Sequence, residues 1–78
     1  MPEIVVKDLE GNVNTVLVDD KATGADLKRA IATSRGGQVA VETVSYMAVP
    51  IQDDQQLCQL GMKDGAVVMV TIAIVGGI

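Results

Sequence analysis

Histidine, phenylalanine and tryptophan are absent from this chain of 78 residues, and tyrosine and cysteine occur once each. Without histidine there is no Cys–His pair for nucleophilic catalysis, and a transition-metal site loses its commonest ligand. Cys58 alone cannot build a disulfide framework and fits a reducing compartment. Basic residues are also scarce: six Lys and Arg stand against ten Asp and Glu, for a net charge of −4. The basic stripe that a phosphate-backbone binder needs is missing, so no nucleic-acid partner is expected. The longest apolar stretch, residues 66–75, falls far short of the ~20 residues that span a bilayer. Met1-Pro2-Glu3 lacks the basic start of a secretory signal. A cytoplasmic location with no membrane partner is expected.

Chemistry-bearing motifs are equally thin. Gly36-Gly37 lacks the strand-to-helix context of a phosphate loop, and Asp19-Asp20 and Asp53-Asp54 read as solvated turns. No cofactor, no metal and no catalytic residue is expected, and the enzyme class is the weakest reading. What the chain does have is aliphatic residues: it is 49% hydrophobic and 21% charged, a globular composition. At this size one domain with a small core is expected, built without aromatics other than Tyr46.

Alternation over Glu3–Leu9 and Val13–Val18 predicts two strands, joined by the turn chemistry of Glu10-Gly11-Asn12. Asn14 falls in the apolar row of the second strand and needs either the sheet margin or a local hydrogen bond. Thr23, with Asp26 three residues on, reads as a helix start, and Leu27, Ala30 and Ile31 make one apolar stripe. Gly36-Gly37 ends that helix. Val39–Ala48 reads as a third strand, and Pro50 with Asp53-Asp54 as a loop. Leu57, Leu60 and Met62 suit a one-turn helical segment that places Cys58 as a partly buried thiol, and Val67–Val75 is the longest strand.

The expected fold class is α+β: order β-β-α-β-β, a mixed sheet with one main helix packed on one face. One helix covers one face of a sheet. The last strand is apolar on both, with Val68, Val70, Ile72 and Ile74 in one row and Val67, Met69, Ala73 and Val75 in the other. An uncovered apolar row of this kind marks a binding surface.

Hairpin, helix, strand, one-turn segment, long strand and Gly76-Gly77 together resemble ubiquitin and the β-grasp ubiquitin-like modifiers. The likeness runs from Glu3 to Gly77 with no insertion. Ile4, Val6, Val16, Val18, Leu27, Ile31, Val44, Ile51, Leu57, Leu60, Met62, Val68 and Val70 fall where that family keeps its core. Lys7, Leu9, Gly11, Thr23, Lys28, Gly36 and Asp53 match ubiquitin's own residues. The resemblance implies a β-grasp domain over residues 3–72 and a flexible tail over 73–78. It implies that Gly76 and Gly77 are the conjugating end, with Ile78 removed by a processing protease. The freed Gly77 carboxylate would be adenylated by an activating enzyme, passed on through conjugating enzymes as a thioester, and joined to a lysine of a target protein. A tail without side chains threads through narrow active sites, which suits the glycines.

The departures from ubiquitin are specific. Of its receptor-binding patch Leu9 survives, while Ser45 and Thr71 replace the other central residues; with Met69 these form the expected partner surface. Ala73 and Val75 stand where ubiquitin's tail carries arginines, so Ile72, Ala73, Ile74 and Val75 imply recognition by a dedicated activating enzyme. Lys7 and Lys28 keep the places of chain-building lysines and Lys63 neighbours a third, Asp64 standing in that place and Val49 in another. Two other readings stay open: a β-grasp sulfur carrier ending in a thiocarboxylate, and a non-conjugated interaction module.

Overall fold

The alternation at the start of the chain folds into the expected hairpin. In the computed structural model, which describes residues 1–74, β1 (Glu3–Asp8) and β2 (Val13–Leu17) pair antiparallel, with Ile4 opposite Val16 and Val6 opposite Asn14. Asp8 closes the turn. Its carboxylate accepts the N–H groups of Glu10 and Asn12, each at 2.9 Å, and Gly11 takes the left-handed φ of 88° that the reversal requires.

Helix α1 (Gly24–Ser34) begins with the reciprocal cap that Thr23 and Asp26 predict. The Thr23 hydroxyl accepts the Asp26 N–H, and the Asp26 carboxylate accepts the Thr23 N–H at 3.0 Å, satisfying two donors at once. Leu27 and Ile31 are fully buried, and Ala30 packs beside them. Arg35 caps the other end; Gly37 then donates its N–H to the Ala32 carbonyl at 2.8 Å.

The remaining strands are β3 (Val39–Tyr46), β4 (Val49–Pro50) and β5 (Val67–Ile74), in a five-stranded sheet ordered β2-β1-β5-β3-β4. The late strand β5 lies at the centre, parallel to β1 and antiparallel to β3. The sheet is therefore mixed, with α1 packed on one face, and the α+β reading of the sequence holds. Its pairing runs on to Ile74, two residues into the segment expected as tail: Ala73 faces Ala40 and Ile74 faces Val39.

Strand β4 is an addition to the expected order. Residues 47 and 48 were expected to continue the third strand, and Pro50 to sit in a loop. Instead Met47 (φ 53°) and Ala48 (φ 67°) reverse the chain, so that Val49 pairs with Tyr46 and Pro50 with Ser45. Pro50 is tolerated because β4 is an edge, where a missing N–H faces solvent. The turn holds two non-glycine residues in the left-handed region, at a cost of ~1–2 kcal/mol each. With no Gly or Asn to mark it, the sequence hides this hairpin.

The buried core holds twelve of the thirteen positions that the resemblance implied, with Ala22 added and Leu60 packed half-buried at its margin. The one-turn helix is a 3-10 turn over Leu57–Leu60. Its three-residue period directs Leu57 and Leu60 toward the core and leaves Cys58 exposed, which corrects the expectation of a partly buried thiol. Among the described residues no helix is long and apolar enough to cross a membrane.

Candidate functional site

Alternation along β5 divides its side chains between two environments. Val68 and Val70 lie beneath α1, 0% and 2% exposed, while Val67 and Met69 face outward. On this outer face the register sets Lys7, Met69 and Ser45 side by side across β1, β5 and β3. Thr71 pairs with Thr43 in the adjoining row, and their hydroxyls hydrogen-bond to each other. Leu9, on the hairpin turn, is exposed and borders the same groove as Thr71. The four residues expected as partner surface thus stand together, on a face where paired hydroxyls take the place of apolar contact.

Of the three lysines, Lys7 and Lys63 are exposed. Lys28 is more withdrawn: its Nζ contacts Asp53 at 2.8 Å and ties α1 to the segment that follows β4. At the far end of β5, Ile72 lies half-buried opposite Val41. Ala73 and the backbone of Ile74 are strand. Val75, Gly76, Gly77 and Ile78 lie outside the described residues.

Beside this end of β5 sits a polar network that the sequence did not announce. Arg35 donates from Nη1 to Asp8 Oδ2 at 2.8 Å and from Nη2 to Asn14 Oδ1 at 3.0 Å. Asn14 in turn donates to Ser34 Oγ at 3.0 Å, and Asn12 donates to Asp8 Oδ2 at 3.1 Å. Asn14 is thereby explained: it faces inward because Arg35 and Ser34, at the end of the helix, supply its partners. The Arg35 guanidinium is the main reason that the Asp8 carboxyl is held down at about 2, helped by Asn12 and the Glu10 N–H and opposed by partial burial. The Arg35 Nε is enclosed without a hydrogen-bond partner.

Asp8, Leu9, Arg35, Glu42, Thr71 and Ile72 border a groove of about 630 Å³ at the point where β5 leads toward the glycines. Its floor is aliphatic and its rim carries Glu10 and Glu42. Two signals could have pointed to it. Asp8 two residues before Glu10 is an Asx-turn arrangement, and a polar Asn14 in an apolar row asks for a charged partner across the core margin.

A mixed sheet of this order, folded around a single helix on one face, defines a β-grasp protein. The model of the Ubiquitin family matches residues 4–74. That match spans nearly all of β1 through β5, and the chain belongs to the ubiquitin family. A comparison with curated proteins gave no match.

Proposed function

We propose that this member of the ubiquitin family is a non-enzymatic protein modifier of the cytoplasm, joined to target amines through the carboxylate of Gly77. The observation that carries the reading is the spacing between fold and glycines. Strand β5 reaches at least Ile74, and Gly76-Gly77 follows two positions later in the sequence. The route requires hydrolysis of the peptide bond between Gly77 and Ile78, which leaves Gly77 with a free carboxylate. ATP adenylates that carboxylate with release of pyrophosphate, and an enzyme thiol then displaces AMP to form a thioester. A target lysine amine then attacks the thioester carbonyl, the thiol leaves, and an isopeptide bond remains.

The uncharged segment Ile72-Ala73-Ile74-Val75 supports a dedicated activating enzyme rather than one that reads tail arginines. Ser45 and Thr71, with the Thr43–Thr71 hydroxyl pair, support receptors unlike those that take an aliphatic patch. Lys7 and Lys63, being exposed, suit chain extension better than Lys28.

Intact-mass measurement on the protein recovered from its native cells tests this. The expected result is a chain ending at Gly77, free and attached to other proteins. A thiocarboxylate on Gly77 would instead establish sulfur transfer, and material that always retains Ile78 would sink both readings. Gly77→Ala is expected to abolish conjugates and leave the melting temperature unchanged; conjugates that persist would overturn the carboxylate assignment.

A further inference from the structure

The two edges of the sheet are guarded very differently. Strand β4 is two residues long and ends in Pro50, both devices that discourage further pairing. Strand β2, at the other edge, is Val13-Asn14-Thr15-Val16-Leu17: five residues with no charge and no proline, paired to β1 in a continuous register. Asn12 and Val18 direct their backbone bonds toward β1, to Asp8 and Pro2. By alternation Asn14 and Val16 do the same, so Val13, Thr15 and Leu17 turn their N–H and C=O groups out of the sheet. Among the described residues none pairs with them, and a groove of about 440 Å³ separates β2 from α1. Val13 and Leu17 are also 57% and 59% exposed on the outer face.

We propose that β2 is a dimerisation edge, pairing antiparallel with β2 of a second copy about a twofold axis through Thr15. In this register Thr15 meets Thr15, and Val13 meets Leu17 of the second copy. These are the residues with free backbone groups, so each pair exchanges both its bonds. Registers shifted to either side leave Leu17 opposite Gly11, or Val13 opposite Asp19, and lose the apolar pairs.

In this register no like charges face each other across the new edge. Within one chain Glu3 lies opposite Leu17, and Lys7 lies opposite Val13. Across the axis each row then runs Glu3, Leu17, Val13, Lys7, an apolar pair flanked by opposite charges. Both rows have this order because the contact is isologous. The result is one continuous sheet of two domains, with the face that carries Ser45, Met69 and Thr71 left open.

Sedimentation of the full chain from about 1 μM to about 1 mM tests the proposal. Reversible dimerisation is expected. Thr15→Lys sets like charges opposite each other, and Thr15→Pro removes the outward N–H without touching the bonds to β1. Each is expected to raise the dissociation constant roughly tenfold or more, with far-UV circular dichroism unchanged. Register is read separately, by oxidative cross-linking in a Cys58→Ser background. Thr15→Cys is expected to cross-link with itself, and Val13→Cys only when mixed with Leu17→Cys. A chain that stays monomeric throughout, a dimer that survives both Thr15 substitutions, or self-linking of Val13→Cys would each overturn the proposal.

Discussion

Replacing Gly24 by alanine sets helix propensity against tertiary contact, and the two predict opposite signs. Gly24 is the first residue of α1, where alanine is favoured over glycine by up to ~1 kcal/mol. In the folded chain, however, a Cβ at this position would stand 2.2 Å from the Gln52 carbonyl oxygen and 2.9 Å from Ile51 Cγ2. The backbone around Gln52 would have to retreat by about 1 Å to restore contact distance. Two hydrogen bonds hold it in place, Gly24 N–H to Gln55 O at 2.9 Å and Ala25 N–H to Asp53 O at 3.1 Å. Losing them costs ~0.5–1.5 kcal/mol each. Displacing the buried Ile51 and Leu57 adds ~1–3 kcal/mol of repacking. The net expectation, near the middle of the range these contributions span, is a loss of about 3 kcal/mol. A domain of this size holds only ~4–12 kcal/mol in total. At ~4–8 °C per kcal/mol the melting temperature should fall by roughly 10–25 °C. Thermal and urea unfolding followed by far-UV circular dichroism measure this, Tyr46 being too sparse a near-UV signal. A Gly24→Ala chain as stable as the parent, or more so, would refute the reasoning and return the position to local propensity.

The remaining predictions concern charge and backbone strain. Asp8 and Asp26 both have folded pKa values below their ordinary ones, Asp8 chiefly through Arg35 and Asp26 chiefly through the Thr23 N–H. Their stabilisation is therefore complete above the unfolded value near 4 and is lost as pH falls, for Asp8 toward about 2. Asp8→Asn should flatten this acid limb in pH-dependent urea unfolding, and an unchanged limb would refute the ion pair's role. Ala48→Gly should stabilise the chain by about 0.5–1 kcal/mol, since glycine relieves the left-handed strain but carries more entropy unfolded. A destabilised Ala48→Gly chain in the same unfolding assay would argue against a strained turn.

Much of the fold could be read from the sequence because the signals were local. Strand alternation in β1 and β5, the Thr23–Asp26 cap and the Leu27–Ile31 stripe each depend on residues within one or two turns of one another. The core positions followed from the same periodicity together with the family likeness. The face on which Ser45, Met69 and Thr71 lie is legible in the sequence because a period of two fixes a face once a strand is known.

What the sequence could not disclose rests on pairs distant along the chain. The Asp8–Arg35 pair joins the first hairpin to the end of the helix, 27 positions apart, and neither residue is unusual alone. The groove they border beside the later part of β5 exists only once β5 inserts between β1 and β3. Strand β4 was hidden because its turn uses Met47 and Ala48, residues with no preference for the conformation that the surrounding sheet imposes on them. Gly24 looked like an ordinary helix start until the Gln52 carbonyl was seen against it. The amino-acid order thus determined the elements and the face each presents, since local sterics and burial decide these. Only the tertiary structure decided which edge lies open among the described residues, which charges meet and what borders the end of β5, because those depend on strand order and close approach.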